Sequence, residues 1–175
     1  MSEILLSYNR RPTTFDKDLA KDRQNKYIKN ELISSQKMEL YDCGVKGDLN
    51  NLKNIVENKK YNLSEECSAN GYYWTVMHYA SHYGYVDIIK YVVNHYKDNP
   101  NKLEILNIQS NIGMSPLMIA VNNIGDENKK KNILKIFVDN NIIDFSICSV
   151  KGEDIISICN KYNLLDYLYS LLKED

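Results

Sequence analysis

One spacing pattern recurs through most of this chain, and it limits the fold more than any composition figure does. In TVMHYASHYGYVDIIKYVV, residues 75–93, take Ala80 as the reference. An apolar residue lies three before it (Met77), a glycine four after it (Gly84), and apolar residues nine, twelve and thirteen after it (Ile89, Val92, Val93). Laid on Cys43, the same offsets read Leu40, Gly47, Leu52, Ile55 and Val56; laid on Cys159, they read Ile156, Asn163, Leu168, Leu171 and Leu172. A further copy begins at GMSPLMIAV, with Leu117 and Ala120 in frame, and resumes at Ile133, Ile136 and Phe137 after an insertion of about one helical turn. Such units cannot bury their own apolar stripes singly, so four of them must stack into one continuous core.

Each copy reads as two antiparallel helices. The first is short and carries a small residue (Cys43, Ala80, Ala120, Cys159) where the neighbouring copy must approach closely, and cysteine behaves there as a small hydrophobe. Gly47, Gly84 and Asn163 fall where the chain must leave that helix with positive φ, which glycine adopts freely and asparagine tolerates. The second helix shows the i, i+3, i+4 stripe of one apolar face. Thr75 is placed as an N-cap with His78 at the third helical position, from which the imidazole reaches back as in a capping box. Ser115 caps the third copy with Pro116 at the first helical position, where a missing N–H costs nothing, and Asp154 caps the fourth.

His78 and His82 lie one turn apart on one helix face, a spacing that suits zinc. Tyr79 stands where a zinc protease needs a glutamate, and no cysteine or carboxylate completes a recognisable ligand set. No metal, cofactor or catalytic residue is therefore expected; His78 fixes a turn, and His82 faces a groove.

Trp74-Thr75-Val76-Met77-His78-Tyr79-Ala80-Ser81 with Gly84, and Gly113-Met114-Ser115-Pro116-Leu117-Met118-Ile119-Ala120-Val121, resemble the G-x-T-P-L-H-x-A-A-x-x-G pattern of ankyrin repeats, a family with a period of about 33 residues. The resemblance covers residues 38–175. It implies an all-α solenoid of paired antiparallel helices with hairpin loops, in four repeats at about 38–69, 70–108, 109–148 and 149–175. The wider spacing of the reference positions (43, 80, 120, 159) implies longer hairpin loops and an extra turn within 122–132. The last copy runs to Lys173-Glu174-Asp175, a charged edge fit to end an array.

Residues 1–36 form a separate N-terminal part. Pro12 and Thr13-Thr14-Phe15-Asp16 precede Phe15, Leu19, Tyr27, Ile28, Leu32 and Ile33 at helical spacing. That segment reads either as a helix covering the first repeat or as a docking helix with an extended arm, MSEILLSYNRRP, for another subunit.

The 22 basic and 23 acidic residues of the 175 nearly cancel, which gives no electrostatic reason to expect nucleic acid. The apolar run Ile4 to Leu6 is too short for a leader or a membrane span, and Cys43, Cys67, Cys148 and Cys159 lack zinc-module spacing, so free thiols in the cytoplasm are expected. Ankyrin arrays bind proteins through hairpin tips and the concave face of their first helices. Carried over by position, the tip candidates are Tyr72, Tyr73 and Trp74, and the concave candidates are Tyr79, His82 and Tyr83 in the second copy and Ile119, Asn122 and Asn123 in the third. The implied function is a non-catalytic protein–protein interaction module with no small-molecule substrate, either a scaffold subunit of a large or cytoskeletal assembly or a soluble adaptor or inhibitor of one signalling enzyme or transcription factor. A thiol enzyme built on Cys67 near His78 or His82 would need a depressed thiol pKa, and no nucleophile motif or phosphate loop accompanies it.

Overall fold

The computed structural model describes residues 35–68 and 71–173, so the arm and helix expected within residues 1–34 lie outside the described part. Every regular element described is helical. Residues 35–46 are helical (α1), followed by α2 (Leu49–Lys59), α3 (Val76–Tyr83), α4 (Val86–His95), α5 (Lys102–Leu106), α6 (Pro116–Asn123), α7 (Glu127–Asp139), α8 (Ile155–Lys161) and α9 (Leu165–Leu172). Pairs α1–α2, α3–α4, α6–α7 and α8–α9 are the four copies. The first helices stack as α3 on α6 on α8, and the second helices stack as α4 on α7 on α9.

The helix starts follow from local chemistry. The Thr75 backbone N–H donates to His78 Nδ1 at 3.1 Å, and the Thr75 hydroxyl lies 3.0 Å from the same nitrogen. Ser115 Oγ accepts from the Met118 N–H at 3.4 Å, with Pro116 opening the helix. Asp154 accepts from the Ser157 N–H at 2.7 Å while Ser157 Oγ accepts from the Asp154 N–H at 2.9 Å, a reciprocal box. At the other end of the first helices, Gly84 and Asn163 take the expected positive φ, 72° and 57°.

The four-residue insertion of the third copy splits between loop and helix. The connection from α6 to α7 has three residues, Ile124 to Asp126, against Gly84 and Tyr85 between α3 and α4. The other three lengthen the helix start, since Ile133 is the seventh residue of α7 whereas Ile89 is the fourth of α4. Part of the wide spacing after α4 is taken up by α5, a short helix not expected from the sequence.

The small reference positions are fully enclosed: Cys43, Ala80, Ala120 and Cys159 have no exposed surface. The stripes of the second helices (Leu52 and Ile55; Ile89, Val92 and Val93; Ile133 and Phe137; Leu168 and Leu171) join them in one core. α1 and α3 approach closely at Gly44, where an added Cβ would sit 2.8 Å from the Tyr79 Cβ. At the far edge α9 ends at Leu172, with Tyr169, Leu172 and Phe145 exposed; Glu174 and Asp175 of the expected charged cap lie outside the described residues.

Candidate protein-binding face

The first helices α3 and α6 are buried all round over their first six positions and accessible at their C-terminal two. In α3 the first six positions, Val76 to Ser81, are buried and His82 and Tyr83 are not; in α6 the buried six are Pro116 to Val121, and Asn122 and Asn123 remain accessible. The matching pair in α8 and its cap is Lys161 and Tyr162, and in α1 it is Val45 and Lys46. Two parallel rows result: Val45, His82, Asn122, Lys161 and Lys46, Tyr83, Asn123, Tyr162.

A repeated diagonal hydrogen bond ties the rows together. Tyr162 O–H donates to Asn122 Oδ1 at 3.0 Å, the Asn122 amide donates to Asn123 Oδ1 at 2.8 Å, and Asn123 Nδ2 lies 3.0 Å from His82 Nδ1. With the Asn123 amide nitrogen turned toward it, His82 Nδ1 is the acceptor of this bond. Burial pulls the His82 pKa below the usual imidazole value. Beside it, Trp74 packs 5.4 Å from His82 and 4.9 Å from Tyr79, ring centre to ring centre, and His82 meets Tyr83 edge-on at 4.7 Å. Tyr72 packs on Trp74 from the tip side.

Seven of the nine residues expected at this face are accessible, and two are corrected. Tyr72, Tyr73, Tyr83 and Asn123 are exposed; Trp74, His82 and Asn122 are half-buried. Tyr79 is only 8 % exposed and Ile119 only 1 %. Both occupy the fourth helical position, which faces a neighbouring first helix: Tyr79 meets Tyr41 of α1 edge-on at 5.2 Å, and Ile119 lies on α6, packed between α3 and α8. They hold the stack and leave no surface for a partner. Burial accordingly pushes the Tyr79 hydroxyl up to about 12.

Sequence reasoning missed the tips of the later hairpins. Ile112 is 46 % exposed and Val150 is 72 % exposed. The tips are joined by backbone hydrogen bonds from Asn111 N–H to Tyr72 C=O (3.0 Å) and from Val150 N–H to Ile112 C=O (2.9 Å). Tyr72 and Ile112 both stand eight residues before their reference alanines, so the repeat frame itself held the signal.

The two histidines have different jobs. His78 is fully buried between repeats; its Nε2 makes no hydrogen bond of ordinary geometry, although the carbonyls of Met114 and Ile108 favour its proton. Burial outweighs them and lowers its pKa to about 4. The thiols move the other way from a nucleophile: burial raises Cys67 to about 12 and Cys43 and Cys159 to about 11. Among the described residues no group of three or more His, Cys, Asp or Glu side chains is placed to hold a metal ion, and no helix is long and apolar enough to cross a membrane. A trough of about 670 Å³ between α5 and residues 144–148, lined by Glu104, Asn107, Gln109 and Asp144 among others, shares no residue with the aromatic face.

A family model for ankyrin repeats, in three copies, matches residues 40–147, well over half of the chain. The chain belongs to the ankyrin-repeat family, and its fourth helix pair, α8–α9, continues the array beyond the matched residues. Among solved structures it is similar to a chain in the crystal structure of the yeast ribosomal protein Rps3 in complex with its chaperone Yar1, with 21 % identity, 81 % of this chain and 93 % of that one covered, and a TM-score of 0.65. That likeness is one of fold. No match is found among curated protein sequences. Ankyrin repeats are protein–protein interaction modules, and this chain carries that architecture.

Proposed function

We propose that this chain is a non-catalytic adaptor that binds one protein partner along the hairpin tips and the two rows beside them, from Tyr72, Tyr73 and Trp74 across His82 and Tyr83 to Asn122 and Asn123. The supporting observation is the concentration of accessible aromatic rings in the second repeat on a rigid, hydrogen-bonded support, the composition and preorganisation of a binding hot spot. A chaperone appears in the name of the structural neighbour, which accords with reversible holding of one client. Four free thiols fit the reducing cytoplasm as the place of action.

A second reading, a fixed subunit of a larger assembly, draws on the exposed Phe145 and Leu172 around a hollow of about 200 Å³ at the α9 end, separate from the aromatic face. Native mass in gentle extract, with and without residues 1–36, separates the two. An adaptor gives a mass near 20.4 kDa plus at most one partner; a fixed subunit gives a much larger particle. Alanine at both Tyr73 and Tyr83 is expected to weaken partner binding by about 2 kcal/mol or more while leaving the unfolding midpoint in place. Unchanged binding would overturn the aromatic face as the docking site.

A further inference from the structure

The tips of the third and fourth hairpins enclose a cleft of about 180 Å³, lined by Ile112, Met114, Asn122, Val150, Lys151 and Lys161 together with Ser149 and Glu153. It has room for one large side chain and is smaller than the roughly 300–1,000 Å³ of small-molecule sites. Two exposed aliphatic residues, Ile112 and Val150, stand on adjacent tips at its mouth. Its charges are unequal: two lysines against one glutamate, and Glu153 is engaged with Lys161 at 3.6 Å. Lys151 makes no ion pair among the described residues.

A third lysine is linked to the cleft through Tyr162 and Asn122. Lys130 is only 6 % exposed and has no carboxylate in ion-pair range among the described residues. Its Nζ sits 3.7 Å from the centre of the Tyr162 ring, and Tyr162 in turn holds Asn122, which lines the cleft. Burial depresses its pKa below the usual lysine value. A positive charge in a low-dielectric setting projects further than one in water. An apolar mouth, a rim lysine with no ion pair among the described residues and a buried lysine linked to the cleft through Tyr162 together favour an apolar group with an anion beside it.

We propose that this cleft receives an acidic, apolar segment of the partner protein, one apolar side chain seating between Ile112 and Val150 while a neighbouring carboxylate meets Lys151. This rests on the reading of the tips as a protein-binding face and adds the chemistry of what binds there.

The test uses the full chain, isotope-labelled, titrated with three synthetic peptides in which leucine alternates with glutamate, glutamine or lysine. The leucine–glutamate peptide is expected to shift the amide signals of Ile112, Val150, Lys151 and Asn122, and to bind about tenfold more weakly to the exposed-site variant Lys151→Glu. Added salt should weaken it too. Equal binding of all three peptides at those residues, or a preference for lysine, overturns the acidic assignment and leaves the tips standing as an interaction face. Shifts confined to residues away from the tips for every peptide overturn both.

Discussion

α3 and α6 bury the same six positions and differ in the two that follow. The buried six carry little sequence in common, Val-Met-His-Tyr-Ala-Ser against Pro-Leu-Met-Ile-Ala-Val, yet both meet one packing demand, because each first helix must fit against its neighbours in the stack. The two remaining positions are free of that demand, and there the repeats diverge into His82–Tyr83 and Asn122–Asn123. Residues of similar chemistry thus have opposite roles by position. Tyr79 is part of the stack and Tyr83 is surface; His78 is a cap and His82 is the end of a hydrogen-bonded row.

The sharpest way to break this comparison is to cut a buried position against its exposed neighbour. Ile119→Ala removes a fully enclosed side chain and is expected to cost about 2–5 kcal/mol, read from urea unfolding. A cost below about 1 kcal/mol would place Ile119 at the surface, as the repeat pattern alone implied.

The histidines offer a second contrast, in pH. Buried His78 keeps a folded pKa of about 4 against an ordinary 6.5, so the unfolded chain takes up that proton first as pH falls. Its contribution is whole above pH 6.5, drains away between 6.5 and 4, and is level below; the loss is roughly 3 kcal/mol. Melting temperatures across that window should fall more steeply for the native chain than for His78→Gln. The slope that persists in the variant includes His82, whose shift has the same sign.

A smaller effect tests the helix starts. Ser115→Ala removes the acceptor for the Met118 N–H and should cost about 1 kcal/mol in chemical denaturation. Smallest of all, Tyr83→Ala should change stability by less than about 0.5 kcal/mol, because its ring is exposed and meets only the rims of His82 and Tyr85 on the surface. A loss comparable to that of Ile119→Ala would mean that the two parts of the first helix are not separable.

The repeat frame made the architecture readable because stacking constrains the same offsets in each copy. Cys43, Ala80, Ala120 and Cys159 were recognisable as close-packing positions for that reason, as were the positive-φ exits at Gly47, Gly84 and Asn163. The frame says which positions recur and not which way each points. Tyr79 and Ile119 were misplaced because the buried part of the helix grades into the accessible part within a single residue, and an aromatic ring reads as a contact until its neighbour, Tyr41, is seen edge-on. Ile112 and Val150 escaped because aliphatic residues in a loop look like core until the loop is built. α5 and the exposed α9 edge were hidden for a related reason: both depend on where the chain lies after a helix ends, which spacing does not encode.

In the proposed complex the partner meets the tips and the two accessible positions of each first helix, and the outer helices face away from it. A photoreactive phenylalanine derivative placed singly at Tyr72, Tyr83, Ile112 and, on α4, at exposed Lys90 tests this directly in intact cells. The expected result is the same crosslinked protein from the first three positions and none from Lys90. A crosslink from Lys90 with none from Tyr72 or Tyr83 would contradict the claim.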